Sequence, residues 1–341
     1  GVCDVTTLGK IDIQGTDAAT FLNYVYCNPF AKLSVGKTRY GLMLREDGIA
    51  MDDGTTARLS DNQFVMTTTT ANAVSVFRHL EFCRQCLWPD LDVQLISTTE
   101  AWGQYAVAGP NARNLLRKIV DENFDISNEA FPFMACGDVT VCGGLRARLF
   151  RISFSGELAY EIAVPTRYGD AMIRALMEAG EEFDVTPYGT EALGVMRIEK
   201  GHAAGNELNG TTTALNLGME RMVSKKKDSI GSTLSEREGL NQADALALVG
   251  FQPVDPKDTF SAGSHFINAD DTANAKNDQG YMTSVCYSPN LGHTIGLGYL
   301  KNGANRKGDG LKAVNPLMGV ETEVEVVSAH FIDPEGERLR A

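Results

Sequence analysis

The sequence predicts an α+β fold with a separate, small β domain at its C-terminal end. Along the first two thirds of the chain, an extended apolar stretch, a break of small residues and an amphipathic helix recur as one unit. Hairpin signals separate these units, which favours antiparallel sheets layered with helices. Beyond about residue 227 the helical periodicity fades and short strands alternate with turns, as in a small barrel or sandwich. We predict an α+β region of two interleaved subdomains over residues 1–240 and a β-barrel domain over 241–341.

Four copies of the strand-then-helix unit are predicted in the α+β region. The strands are Lys10–Gly15, Phe64–Thr68, Gln104–Gly109 and Glu161–Pro165, and the helices after them begin near Thr16, Ala71, Pro110 and Tyr168. Thr16 or Asp17, and Asn111, are residue types that cap helix N-termini.

A hairpin and the strands of the C-terminal domain complete the predicted elements. The turn Glu46–Gly48 joins the strand Tyr40–Leu44 to the strand Ile49–Leu59. The C-terminal strands are predicted at Ala245–Phe251, Gly280–Tyr287, Thr294–Tyr299 and Glu321–His330.

Composition excludes several classes of function. The net charge of −13 argues against a nucleic acid or an anionic membrane as partner, because phosphate binding needs a basic surface. No apolar run approaches the roughly 20 residues that span a bilayer. Seven cysteines without framework spacing favour a reducing compartment, and we expect a cytoplasmic protein. The five histidines are not at ligand spacing, so no metal site is predicted.

Three local features receive structural interpretations. Lys225–Lys227 is typical of a solvated loop, with contact to an anionic ligand tail as the alternative. Cys83 and Cys86 are interpreted as two thiols at a helix end rather than a redox or metal motif. The chain has no initiator Met and enters patterned sequence at once, which we interpret as a piece of a longer polypeptide, although a trimmed chain would look the same.

The pair Asp52–Asp53 interrupts an apolar strand. Neighbouring strand residues point to opposite faces, so one carboxylate is expected to face inward and the other to meet water. Gly54 leaves room for a ligand or another backbone. The pattern alone leaves a functional carboxylate and a turn-capping pair as alternatives.

A second carboxylate pair, Glu157 and Glu161, is predicted on one face of a strand. Glu161 lies among apolar residues, where an unpaired charge costs several kcal/mol. It could bind an amidine-like edge such as that of a pterin, or it could form a buried ion pair with Arg151 or Arg197.

A loop with several glycines follows Lys200. Three polar side chains in it either bind a ligand or, more simply, hold the loop: Asn206, Glu207 and Asn209.

Three of these segments together resemble the aminomethyltransferase superfamily, which includes the glycine-cleavage T-protein and the folate domains of dimethylglycine and sarcosine oxidases. Gly48–Asp53 is similar to its Gly-rich turn with an Asp pair, and Ser153–Ile162 to its aromatic–x–Gly–Glu–x–x–aromatic–Glu signature. Arg197–Gly201 and Gly205–Thr213 resemble its R-L-E-x-G and G-N-D-x-x-x-T-T-P segments, with Ala214 where Pro is usual. The resemblance covers nearly the whole chain.

The resemblance implies a fold of ferredoxin-like α/β layers around a central folate pocket, followed by a β-barrel. It implies that Asp53 is the catalytic carboxylate and that Glu161 anchors the pterin. Tyr40 matches a tyrosine lining the pocket, Thr55 occupies a position that is usually apolar, and Phe154 replaces a tyrosine. One departure is Leu193, which stands where the T-protein has an arginine that contacts folate, so the benzoyl-glutamate end must bind differently.

Within the superfamily, the amino-acid sequence most resembles the alpha subunits of heterotetrameric sarcosine oxidases. The similar stretches are Thr38–Gly48, Asn128–Met134, Arg148–Glu161, Pro187–Leu193, Ala214–Met219 and Met222–Asp228. This resemblance implies capture of the methyl-derived carbon of sarcosine by tetrahydrofolate, as 5,10-methylenetetrahydrofolate.

The same resemblance implies partners and cofactors outside this chain. The other oxidase subunits are expected as partners, among them a flavin-bearing beta subunit. FAD or FMN and NAD are expected only in the rest of that complex, because no G-x-G-x-x-G follows a strand here, and the chain alone is expected to lack the flavin oxidase activity. The alternatives are a stand-alone aminomethyltransferase of glycine cleavage and a non-catalytic folate-binding protein.

Overall fold

The computed structural model describes all 341 residues of the chain as two five-stranded sheets, each covered by helices, and a closed barrel. In chain order the first elements are β1 (Val2–Asp4), β2 (Gly9–Gln14), α1 (Ala18–Val25), β3 (Lys37–Leu44), β4 (Ala50–Ser60), β5 (Gln63–Thr68), α2 (Ala73–Phe82), β6 (Gln94–Ser97) and β7 (Trp102–Ala108). They are followed by α3 (Ala112–Leu116), β8 (Cys136–Val141), β9 (Leu145–Phe150), β10 (Ala159–Pro165), α4 (Gly169–Gly180) and α5 (Thr190–Lys200).

The C-terminal elements are the six strands of the barrel and two short helices. They are α6 (Ser232–Ser235), β11 (Leu246–Pro253), β12 (His265–Asn268), β13 (Gly280–Ser288), β14 (His293–Lys301), β15 (Gly310–Asn315), β16 (Val320–Val327) and α7 (Glu337–Arg340). The barrel closes in the order β11-β14-β13-β12-β15-β16, and every pairing in it is antiparallel. The predicted α+β class and C-terminal barrel are confirmed, although β12 and β15 were not predicted.

Each of the two open sheets has five strands and packs two helices against one of its faces. Sheet one has the order β3-β4-β5-β2-β6, and sheet two has the order β1-β7-β10-β9-β8. One face of sheet one packs on α1 and α2 through residues such as Ile13 and Phe64. One face of sheet two packs on α3 and α4 through residues such as Tyr160 and Ile162. Burial of these apolar side chains is the main stabilising term for each layer.

The remaining faces of the two sheets pack against each other. Ala57 and Val65 of sheet one form a cluster with Ala163 and other residues of sheet two. A buried ion pair also crosses between the sheets, with Arg148 Nη2 at 2.8 Å from Asp12 Oδ2. Side chains that share these faces therefore point into the space between the sheets.

The predicted strands and helices of the two layers are present, but the strands β1, β6, β8 and β9 were not predicted. The hairpin turn ends at Gly48, whose φ of +86° explains the glycine. Asp17 and Asn111 occupy the N-cap positions of α1 and α3, but neither side chain caps its helix. Asp17 accepts a hydrogen bond from the Asp92 amide instead. The strand β10 begins at Ala159, so the prediction that Glu157 shares a strand face with Glu161 is wrong.

Candidate functional site

Asp53 lies on the face of sheet one that is turned toward sheet two. Residues two apart on β4 share a face, and Ala57 of that series packs in the inter-sheet cluster. Thr55 belongs to the same series, and Tyr40 is its register partner on β3. The sheet therefore brings Tyr40, Asp53 and Thr55 together on the wall of the inter-sheet space.

The Asp53 carboxylate has one neutral partner and no cation. The Tyr40 hydroxyl donates a hydrogen bond to Asp53 Oδ2 at 2.8 Å, and Met219 Sδ lies 3.9 Å from the same hydroxyl. Burial raises the pKa of Asp53 to about 6, and the Asp52 charge adds to this rise while the Tyr40 hydrogen bond opposes it. A carboxylate with a pKa near neutrality is suited to accept a proton or to stabilise a cation.

Asp52 points to the opposite face of β4. It is only 3% exposed, so the prediction that one member of the pair would meet water is wrong for Asp52. Its Oδ1 accepts a hydrogen bond from Asn72 Nδ2 at 3.0 Å, and its Oδ2 accepts one from the Thr69 amide at 3.2 Å. Asp52 thus fastens β4 to the segment before α2.

The two residues after Asp53 are tied to the neighbouring strand β5. A Cβ at Gly54 would lie 2.2 Å from the Thr67 carbonyl oxygen, so the glycine accommodates backbone. The Thr55 and Thr67 hydroxyl oxygens are 3.0 Å apart. The hydroxyl of Thr55 is therefore already engaged within the sheet.

Glu161 lies on the facing wall, in the middle of sheet two. It is 8% exposed, and its Oε2 accepts a hydrogen bond from the Gln104 side-chain amide on β7. The alternative of an ion pair with Arg151 or Arg197 is wrong. Arg151 donates to Asn128 and to the Phe131 carbonyl oxygen, while Arg197 pairs with Glu207.

The positive charge that acts on Glu161 comes from the other sheet. Lys10 of β2 is buried, and its Nζ donates to the carbonyl oxygens of Thr6 at 2.7 Å and Leu8 at 3.0 Å. Burial lowers the pKa of Lys10 to about 8, and the Glu161 charge opposes that effect. Burial likewise raises the pKa of Glu161 to about 7, opposed by the Gln104 hydrogen bond and by the Lys10 charge. Lys10 thus acts on Glu161 through its field and not as an ion-pair partner.

Phe154 lies in the loop that precedes β10. Its ring is 39% exposed and stacks on His202 with the ring centroids 5.9 Å apart. The His202 Nδ1 donates to the Phe154 carbonyl oxygen at 2.9 Å. An exposed aromatic ring with one face supported by another ring is suited to stack on a planar ligand.

Sequence reasoning missed several residues of this region. Gln104 carried a signal, since it is the one amide within the apolar strand β7. No sequence pattern pointed to Lys10 or His202, because their positions in the site depend on contacts with distant parts of the chain. Tyr188, before α5, was also missed, and its hydroxyl is buried without a hydrogen-bond partner.

The other singled-out polar residues have structural roles. Glu207 is fully buried and accepts hydrogen bonds from Arg197 Nη1 at 2.8 Å and Ser284 Oγ at 2.7 Å. Asn206 donates to the Thr283 carbonyl oxygen at 3.2 Å, and Asn209 donates to the Tyr281 hydroxyl at 2.9 Å. The interpretation that this loop is held by its own side chains is confirmed.

Other features differ from or add to the expectations. Lys225 and Lys226 are exposed as predicted, whereas Lys227 is half-buried and its Nζ donates to the carbonyl oxygens of Asn23 and Tyr26. Glu157 forms an ion pair with Arg338 at 2.8 Å. All seven cysteines are free, and no three His, Cys, Asp or Glu side chains are grouped to hold a metal ion. None of the helices combines the length and hydropathy needed to cross a bilayer.

Two protein families match the chain. Residues 1–227 match the GCVT N-terminal domain, and residues 247–333 match the glycine cleavage T-protein C-terminal barrel domain. The solved aminomethyltransferase T of the glycine cleavage system from Bartonella henselae is similar in fold, with a TM-score of 0.83 at 23% identity. That similarity covers 98% of this chain and 86% of the solved one.

Sarcosine oxidase alpha subunits are similar over the full length of the chain. The subunit of Rhizobium meliloti is 54% identical over 341 residues, which is 99% of this chain and 34% of the relative. The subunit of Corynebacterium sp. strain P-1 is 45% identical over 341 residues, 99% of this chain and 35% of the relative. The chain thus spans about a third of the length of these curated relatives.

Proposed function

The chain belongs to the glycine cleavage T-protein family, and on this premise we propose that it binds tetrahydrofolate between its two sheets and promotes one-carbon transfer to it. One observation carries the proposal. Asp53 and Glu161 are on the facing surfaces of two packed sheets, and neither carboxylate has a cationic partner. Glu161 is buried and Asp53 is half-buried. Acids withdrawn from water for structural reasons normally have a cationic partner, so two acids without one favour a ligand site.

The residues fit a reduced pteridine. Glu161 Oε2 is engaged by Gln104, which leaves Oε1 to accept hydrogen bonds from the amidine-like edge of the ring. The exposed ring of Phe154 and the ring of Tyr40 offer apolar surfaces for stacking. The apolar side chain of Leu193 cannot form an ion pair with the glutamate tail, so that end of the ligand must bind elsewhere. Thr55 lines the wall beside Tyr40.

When bound, tetrahydrofolate would supply two nitrogen nucleophiles. Their addition to the methyl-derived carbon of the iminium, or of formaldehyde, would give 5,10-methylenetetrahydrofolate and release the amine, or water, which takes up the two N–H protons. Asp53 is the protein group proposed to act on the reaction, either by accepting a proton at its carboxylate or by stabilising positive charge beside it. Such roles contribute about 10² to 10⁴ in rate. Tyr40 holds the carboxylate in place through its 2.8 Å hydrogen bond. Glu161 contributes by fixing the position of the reacting nitrogen.

Similarity to sarcosine oxidase alpha subunits favours sarcosine as the source of the carbon. In this proposal a flavin-bearing beta subunit oxidises the amine, and this chain receives the resulting one-carbon unit. FAD or FMN and NAD would be held by the rest of the complex. The chain alone would then carry the folate site without the flavin oxidase activity, inside a cytoplasmic enzyme.

A stand-alone aminomethyltransferase is the second candidate, favoured by the fold similarity to the Bartonella protein. Release of ammonia from an aminomethylated lipoyl carrier would distinguish it from the sarcosine reaction. Leu193, at the position of a folate-contacting arginine, argues against this candidate.

The test of the proposal is Asp53→Asn in the complete oxidase. We expect the yield of 5,10-methylenetetrahydrofolate to fall about 10²- to 10⁴-fold while sarcosine oxidation continues. The matched control is Asp52→Asn, on the other face of the same strand, which should affect stability and leave the transfer rate close to that of the unsubstituted enzyme. An unchanged product yield in a folded Asp53→Asn enzyme would rule out the role.

A further inference from the structure

Tyr188 lies against the wall of sheet two that carries Glu161. Its amide donates to the Val2 carbonyl oxygen at 2.9 Å, which fixes the loop before α5 beside β1. Its ring packs in a cluster with Cys3 and Ala106, to which Leu193 also belongs. Leu193 is apolar, so the Tyr188 hydroxyl is the polar group that this cluster offers.

The strand register relates this cluster to Glu161. Cys3 on β1 pairs with Ala106 on β7, and Ala106 pairs with Glu161 on β10. Cross-strand partners share a face, so the three side chains form a row across three neighbouring strands. The ring of Tyr188 therefore covers the same face from which Glu161 projects.

The hydroxyl of Tyr188 is buried and has no hydrogen-bond partner within the chain. Such a group destabilises the folded state, and most buried hydroxyls in proteins have a partner. Burial raises the pKa of Tyr188, and the charges of Cys3 and Glu161 add to this effect. The hydroxyl therefore stays protonated and keeps a hydrogen to donate.

We propose that the Tyr188 hydroxyl is a ligand-binding group, which donates a hydrogen bond to the edge of the pteridine that Glu161 anchors. This inference rests on the proposed function. The amidine-like edge has two donors, the ring N–H and the 2-amino group. Acceptors flank them: the carbonyl oxygen attached to the ring on one side and a ring nitrogen on the other. A carboxylate beside a hydroxyl donor matches that order of donors and acceptors. Tyr188 thus adds selectivity for a ring with an acceptor next to the amidine group.

The experiment is Tyr188→Phe, which removes only the unpaired oxygen. Calorimetry should give a Kd for tetrahydrofolate that is about 3- to 10-fold higher, as expected for the loss of one hydrogen bond. Urea unfolding of the ligand-free protein should show equal or greater stability, because the variant no longer buries an unpaired hydroxyl.

Tyr105→Phe is the matched control. Tyr105 lies on the opposite face of sheet two, and its hydroxyl donates to the Gly169 carbonyl oxygen at 2.8 Å. The control should therefore lose stability and keep the Kd of the unsubstituted protein. The two variants are therefore expected to differ in both measurements: Tyr188→Phe raises the Kd without a loss of stability, and Tyr105→Phe loses stability without a change in the Kd.

The outcomes separate this inference from the function on which it rests. Absence of tetrahydrofolate binding by the unsubstituted protein would remove the proposed function itself. An unchanged Kd for Tyr188→Phe, with binding still weakened by Glu161→Gln, would overturn the role of Tyr188 alone. If Tyr188→Phe fails to fold, 3-fluorotyrosine at position 188 provides a second test. The fluorinated hydroxyl is a stronger donor and should lower the Kd, and an unchanged value would again contradict the inference.

Discussion

Glu161 between the two sheets and Glu207 at the junction of α5 with the barrel are both buried glutamates, yet their surroundings differ. Glu207 accepts hydrogen bonds from Arg197 and from two barrel hydroxyls, those of Thr283 and Ser284. Glu161 accepts one, from the neutral amide of Gln104. Full pairing identifies an acid that holds the protein together, and partial pairing indicates an acid with binding capacity left for a ligand.

Glu207→Gln is expected to destabilise the fold strongly. The substitution leaves the Arg197 guanidinium buried without its counter-charge, and breaking such a pair costs about 3 to 5 kcal/mol. Urea unfolding should therefore show a large fall in the free energy of unfolding. The folded fraction should bind tetrahydrofolate with an unchanged Kd. A loss below about 1 kcal/mol, the size of an ordinary hydrogen bond, would show that Glu207 is not the structural counterpart we describe.

Ionisation of Glu161 is expected to lower the stability of the ligand-free protein and to raise its affinity for the ligand. A series of pH values separates these two effects. The pKa of Glu161 is raised from 4.5 to about 7, so the folded state binds this proton more readily than the unfolded state. The resulting destabilisation is fully present above pH 7, and it is relieved as the pH falls toward 4.5. Ligand binding needs the ionised form and should weaken by up to about tenfold for each unit below pH 7.

Calorimetry and urea unfolding over the same pH series check this prediction. Glu161→Gln is the control, because it should lose both dependences on this group. Affinity that stays constant from pH 7 to pH 5, or that changes identically in the control, would contradict the assignment of the titration to Glu161.

Strand periodicity was sufficient to predict that Asp52 and Asp53 point to opposite faces of a strand, but not that Asp52 is buried. The hairpin at Gly48 and the alternation along β4 determine the faces of Asp52 and Asp53, and both follow from local sequence. The isolation of Glu161 among apolar residues was likewise visible in the sequence. These predictions succeeded because a strand exposes its pattern within a few residues.

Pairing between distant segments could not be predicted from the same patterns. Glu161 was given an arginine as an alternative partner, but its partner is Gln104, 57 residues earlier in the chain. The positive charge that acts on it, that of Lys10, comes from the other sheet. Tyr188 lies in a short loop without periodicity, and its position depends on the packing of β1 and α5. The strands β12 and β15 were missed because their four and six residues carry little alternation.

Calorimetric titration of the chain with tetrahydrofolate, compared with its Glu161→Gln variant, tests whether Glu161 anchors the pterin. Hydrogen bonds to a charged group contribute about 1.5 to 3 kcal/mol, so the Kd of the variant should rise roughly 10- to 150-fold. Its free energy of unfolding without ligand should be equal to or greater than that of the unsubstituted chain, because a buried charge has been removed. Equal Kd values for the two proteins, or a variant that is destabilised and binds normally, would contradict the account.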